Sequence, residues 1–101
     1  LFDGPARAVR CAQEIVRAVR PLDIEIRAGV HTGEVEMIGD DVGGIAVHIA
    51  ARVAARAHAS EVLASNTVKD LVAGAGLRFA EQGMAELKGL SEPMRLFSAV
   101  A

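Results

Sequence analysis

The sequence has no tryptophan, no tyrosine and only three phenylalanines in 101 residues. Without aromatic platforms, an RNA-recognition sheet that stacks unpaired bases has no chemical basis. A lone cysteine, Cys11, excludes an internal disulfide, and no Cys/His cluster has zinc-ligand spacing, so a reducing compartment fits. No apolar run approaches the ~20 residues of a membrane span, and no signal-peptide core opens the chain. Eleven Lys and Arg against 13 Asp and Glu give a net charge of −2, which argues against a general polyanion binder. Nucleic acid and direct membrane contact are therefore not expected, and the segment is expected to be cytoplasmic. What the chain does have is apolar content, 51% of residues, enough to exclude disorder and to fill one small domain. It opens on Leu1-Phe2, which reads as the end of a strand begun elsewhere, so a fragment is expected.

Asp3-Gly4-Pro5 is a helix-start signal, because proline is pre-set for the first turn and lacks the amide that would go unpaired there. The helix should run to about Arg20 and stop at Pro21. Its apolar half is read as Ala8, Val9, Cys11, Ala12, Ile15, Val16, Ala18 and Val19, which makes Cys11 an inert core thiol. The period then changes to two. Ile24, Ile26, Ala28 and Val30 alternate with Glu25, Arg27, Gly29 and His31, and Glu34 to Met37 resume the alternation after Thr32-Gly33, so a hairpin is expected. A glycine-rich acidic loop, 39–44, leads into an alanine-rich helix from about Ile45 to Ala57, small enough for another backbone to approach closely. Val62 to Ala64 form a short buried strand. Thr67 with Asp70 gives a capping-box-like start to a helix ending near Gly74. A strand begins at Leu77 and continues raggedly to Leu87, a turn covers 88–93, and Met94 to Val100 form the last strand. The order implies an α+β fold, a mostly antiparallel sheet with helices packed on it.

Few residues can carry chemistry. His48 and Arg52 lie four apart on the alanine-rich helix, hence on one face, with Arg56 a turn later; a solvated stripe is the default reading of such a row, and the glycine-rich acidic loop at the helix entry is what points instead to close packing against a ligand or a second subunit. Asp40 and Asp41 could bind a metal, but adjacent residues project differently, and a turn that favours Asp and Gly explains them equally well. The loop lacks the lysine of a P-loop. His31, Glu34 and Glu36 read better as a polar sheet face than as a metal cluster, and His58 as an ordinary loop residue. Lys88 sits in a turn, where a solvated cation is the default. No Ser/His/Asp or Cys/His arrangement can be assembled.

Three stretches then carry a resemblance: Arg27 to Glu34 (RAGVHTGE), Gly39 to Arg52 (GDDVGGIAVHIAAR), and Glu86 to Leu90 (ELKGL) with Arg95 to Phe97 (RLF). Their sequence, order and spacing resemble the class III adenylate/guanylate cyclase catalytic domain. The likeness covers nearly the whole chain and corresponds to the later part of that domain, so residues 1–101 are expected to be a partial cyclase domain. The resemblance implies a ferredoxin-like cyclase fold, incomplete at its N-terminus, that pairs head to tail as a homodimer with ATP between protomers. It implies Mg²⁺ or Mn²⁺ held by two aspartates expected upstream of Leu1, so the isolated segment is expected to be inactive. It further implies that Asp41 reads the purine, favouring ATP over GTP. Arg52 would stabilise charge on the phosphate oxygens, and Lys88 would touch the terminal phosphates. His48 stands where the family usually has an asparagine that orients the ribose, a departure from the pattern. An adenylate cyclase is the preferred reading. A cyclase-like nucleotide-binding or dimerisation module, motivated by His48, and an unrelated ferredoxin-like binding domain are the alternatives.

Overall fold

A computed structural model describes residues 4–32, 34–38, 49–88 and 90–100. Its first helix, α1 (Gly4–Val19), has Pro5 in its first turn, and Pro21 then directs the chain into a 3₁₀ turn, Arg20–Leu22. Asp23, at φ 61°, reverses the backbone, and its amide donates to the Arg20 carbonyl at 3.0 Å while the Ile24 amide donates to Val19 at 3.3 Å. These bonds satisfy carbonyls that a helix end leaves open. The buried side of α1 is Ala6, Ala8, Val9, Ala12 and Val16. Cys11 is exposed, and so are Ile15 and Ala18, which corrects the reading of Cys11 as a core thiol. The seam against the sheet centres on Val9, Ala12 and Val16, and Cys11 lies more than a quarter-turn around the helix from it.

The hairpin forms as expected. β1 (Arg27–His31) pairs antiparallel with β2 (Glu34–Ile38), His31 opposite Glu34 and Arg27 opposite Ile38. Among the described residues the alanine-rich helix α2 spans Ile49–Arg56 and is followed by β3 (Val62–Ser65), α3 (Asn66–Leu71), β4 (Arg78–Ala85) and β5 (Met94–Val100). The strands form one sheet in the order β2-β1-β3-β5-β4. Among the described residues only β1 and β3 pair in parallel; the other pairings are antiparallel. This is the mixed α+β sheet that the sequence pattern implied. The ragged stretch in β4 is a bulge, where Gly83 takes φ 91° and the register with β5 shifts between Glu81 and Gly83. No helix among the described residues is long and apolar enough to cross a membrane.

Alternate residues of β1 and β3 point to opposite faces of the sheet, so the described residues form an apolar cluster on each face. Ala28, Val30, Val62 and Ala64 pack with Val9, Ala12 and Val16 of α1 and with Val68 and Val72 around α3. On the other face Leu63 packs with Val53 and Ala57 around α2, and with Ala85, Leu87 and Leu96. β3 is buried along its whole length because helices cover both its faces.

The start of α3 also differs from expectation. The cap is Ser65, the last residue of β3, and not Thr67: the Ser65 hydroxyl accepts a hydrogen bond from the Val68 amide at 3.4 Å. Ser65 is fully buried, and its Oγ lies 2.8 Å from His31 Nδ1, so one hydroxyl joins the ends of two strands to a helix start. Ser65→Ala is expected to lower unfolding free energy by ~1–2 kcal/mol, read from urea denaturation, because a cap and a buried hydrogen bond are lost together.

Candidate functional site

α2 is built to lie very close to the sheet. A Cβ placed on Gly29 of β1 would overlap the Ala50 carbonyl oxygen and the Ala54 amide nitrogen, and would stand 2.8 Å from Ala54 Cα. Helix backbone and strand backbone are therefore in direct contact, which only glycine permits at this position. Ala50, Val53 and Ala54 form the buried side of α2. Arg52, between them in sequence, is half-buried rather than enclosed in the apolar interior, and Arg56, four residues on and therefore on the same helix face, is exposed.

The segment carrying Lys88 is held by the same apolar cluster as α2. Leu87 is buried among Val53, Ala57, Leu63, Ala85 and Leu96, and Ile49 and Leu90 pack against that group. Arg52 thus precedes one member of the cluster, and Lys88 follows another. Lys88 itself is exposed, in the lining of a cavity of about 520 Å³ together with Glu86, Ser91 and Glu92. The other lysine, Lys69, is 5.1 Å from the centroid of the Phe97 ring, a cation–π contact within the fold. A neighbouring hollow of about 480 Å³, bounded by Asn66, Thr67, Met84 and Arg95, has neither Arg52 nor Lys88 in its lining.

Asp40, Asp41 and His48 lie outside the described residues. His31 is engaged by Ser65, as described above. His58 belongs to the turn after α2: its backbone amide donates to Glu61 Oε1 at 2.7 Å, and the Glu61 amide donates back to the His58 carbonyl at 3.0 Å. Among the described residues no group of three or more His, Cys, Asp or Glu side chains could hold a metal ion.

Two residues that shape this region escaped the sequence pattern. Ser65 falls between the expected strand 62–64 and the expected cap at Thr67 and is assigned to neither, although a serine immediately before a helix is itself a capping signal. Gly29 was read as one polar-face position in an alternating strand, although an isolated glycine inside a strand marks a close backbone approach.

The family model described as Adenylate and Guanylate cyclase catalytic domain matches residues 8–99. A Rhizobium meliloti (strain 1021) protein named "Putative adenylate cyclase 3" is 28% identical over an alignment covering 96% of this chain and 18% of that protein. The chain thus spans about a fifth of that relative's length. Among solved structures, an adenylate/guanylate cyclase/hydrolase from Silicibacter pomeroyi superimposes with a TM-score of 0.70 at 24% identity, covering 96% of this chain and 63% of that one. The guanylate cyclase domain of RhGC from Catenaria anguillulae, solved in complex with GTP, gives a TM-score of 0.72 at 18% identity, covering 96% and 59%. These two likenesses concern the fold. With the family model spanning all but the ends of the chain, the protein belongs to the adenylate and guanylate cyclase catalytic-domain family.

Proposed function

We propose that the chain forms the nucleotide-recognising part of an adenylate cyclase, which converts ATP to 3′,5′-cyclic AMP and pyrophosphate in a head-to-tail homodimer. The observation that carries this reading is the shared apolar cluster, which ties the helix bearing Arg52 to the segment bearing Lys88. Cations carried by the two segments that this cluster ties together would suit a triphosphate, whose charge grows on the phosphate oxygens as the reaction proceeds. In that reaction the ribose 3′-oxygen forms a bond to the α-phosphorus, the bond from the α-phosphorus to the bridging oxygen breaks, and the 3′-hydroxyl proton is lost.

In this reading the Arg52 guanidinium donates two hydrogen bonds to phosphate oxygens and stabilises the transition state. Lys88 holds the terminal phosphates as a point charge. The Asp41 carboxylate accepts a hydrogen bond from the adenine exocyclic amine, where guanine would present a carbonyl oxygen. The adenylate assignment rests on that acid and on the name of the Rhizobium relative. His48, in place of the family's asparagine, orients the ribose by donating a hydrogen bond. Mg²⁺ or Mn²⁺ belongs to the proposal as the metal that the cyclase resemblance implies.

Lys88→Ala is expected to raise the KM for ATP about ten- to a hundredfold, the equivalent of one charge-assisted hydrogen bond of ~1.5–3 kcal/mol. Steady-state assays of cyclic AMP formation read this directly, and the melting temperature should stay unchanged because Lys88 is exposed. His48 favours a second reading, a regulatory module that binds nucleotide with little turnover. Calorimetry showing ATP binding by the full-length protein, with no cyclic AMP formed in the presence of Mg²⁺ or Mn²⁺, would select that reading.

A further inference from the structure

We infer that Gly29 is a positioning residue for the cyclisation step: by letting α2 rest on the backbone of β1, it sets how far Arg52 reaches toward the nucleotide. This inference rests on the role proposed for Arg52. Its basis is the identity of the atoms that face Gly29. They are the Ala50 carbonyl oxygen and the amide nitrogen and Cα of Ala54, all of them backbone. A flexible side chain could turn aside from an added methyl group, but a helix backbone cannot, so α2 must move as a body. Ordinary carbon contacts need about 3.5 Å or more, so a methyl group at position 29 moves α2 outward by about 1 Å.

Arg52 lies between Ala50 and Ala54, the two residues that take the contact, and so receives the whole displacement. The segment bearing Lys88 does not move with it in the same way, because β4, β5 and β3 anchor that side of the cluster through Ala85, Leu96 and Leu63. The spacing between the two cations therefore changes. A misplacement of this size at a group that acts in the transition state costs up to about 10²-fold in rate. Substrate held through other groups keeps its affinity.

The test is a double-mutant cycle in the full-length protein, with initial rates of cyclic AMP formation from ATP. Gly29→Ala is expected to lower kcat about ten- to a hundredfold, with KM changed by less than about threefold. In an Arg52→Ala background the same substitution should lower kcat by less than about threefold further, because the group it displaces is gone. Val9→Ala, a fully buried change on the opposite face of the sheet, serves as the stability control. It should lower the melting temperature comparably while leaving kcat intact. Should Gly29→Ala fail to fold, Ala54→Ser adds one atom to a fully buried residue of the facing helix turn and is expected to give a smaller kcat loss, again absent in the Arg52→Ala background. Losses that multiply across the cycle, an unchanged kcat in the position-29 and position-54 variants, or a kcat loss in Val9→Ala equal to that in Gly29→Ala would overturn the inference. An Arg52→Ala enzyme with undiminished kcat has a different meaning: it overturns the proposed role of Arg52, and this inference with it.

Discussion

Arg52→Ala in the full-length protein should lower kcat for cyclic AMP formation by about 10²–10³-fold, the loss seen when one preorganised donor to a developing oxyanion is removed. That corresponds to about 2.7–4 kcal/mol of transition-state stabilisation. The fold should tolerate the change. Alanine is the best helix former, and Ala50, Val53 and Ala54, which hold α2 to the sheet, are untouched. KM should move less than kcat, since an interaction made only in the transition state appears in kcat. Arg52→Lys should recover little of the lost rate, because an ammonium keeps the charge but not the planar fork that engages two phosphate oxygens. Rate and thermal unfolding measured on the same preparations separate a chemical role from a structural one: a rate within threefold of the parent removes Arg52 from the mechanism.

Leu63→Ala should cost ~2–5 kcal/mol of unfolding free energy, the range for truncating a buried leucine, out of the ~5–15 kcal/mol that holds a typical domain together. Leu63 is 2% exposed at the centre of β3, opposite Gly29 on one side and Ser98 on the other. It fills the space between Val53 of α2 and the Leu87 and Leu96 side chains. The cavity left behind would loosen the helix bearing Arg52 and the segment bearing Lys88 at once, so stability and activity should fall together. Leu71→Ala is the contrast: Leu71 is 59% exposed, and its truncation should stay within about 0.5 kcal/mol of the parent. Urea denaturation of both variants checks the prediction, and similar midpoints would contradict the placement of Leu63 as the keystone of this cluster.

Features set by local chemistry were readable from the residues. Pro5 and Pro21 bracket α1, the period-two alternation locates the hairpin, and the turn before Met94 delimits β5. Features decided by distant contacts were not. Whether Cys11 is buried depends on where the sheet meets α1, and the sheet follows the line of Val9, Ala12 and Val16. The capping-box spacing of Thr67 and Asp70 is a true local signal, but Ser65 already has its hydroxyl at the Val68 amide by ending β3 there. The bulge at Gly83 is half local: an isolated glycine in a strand signals it, but the register shift against β5 appears only once the two strands pair. The candidate site divides in the same way. Arg52 and Lys88 enter as candidates through their flanking motifs alone. That Ile49, Val53, Leu87 and Leu90 bind their segments into one unit depends on helix and turn meeting over Leu63.

The most decisive experiment is a crystal structure of the full-length protein with 3′-deoxy-ATP, which lacks the attacking hydroxyl and cannot cyclise. The Arg52 guanidinium and the Lys88 ammonium should both stand ~2.7–3 Å from oxygens of one triphosphate, with the nucleotide enclosed between two protomers and the Asp41 carboxylate against the adenine amine. A nucleotide bound with Arg52 and Lys88 on separate surfaces, or contacting neither, would contradict the account.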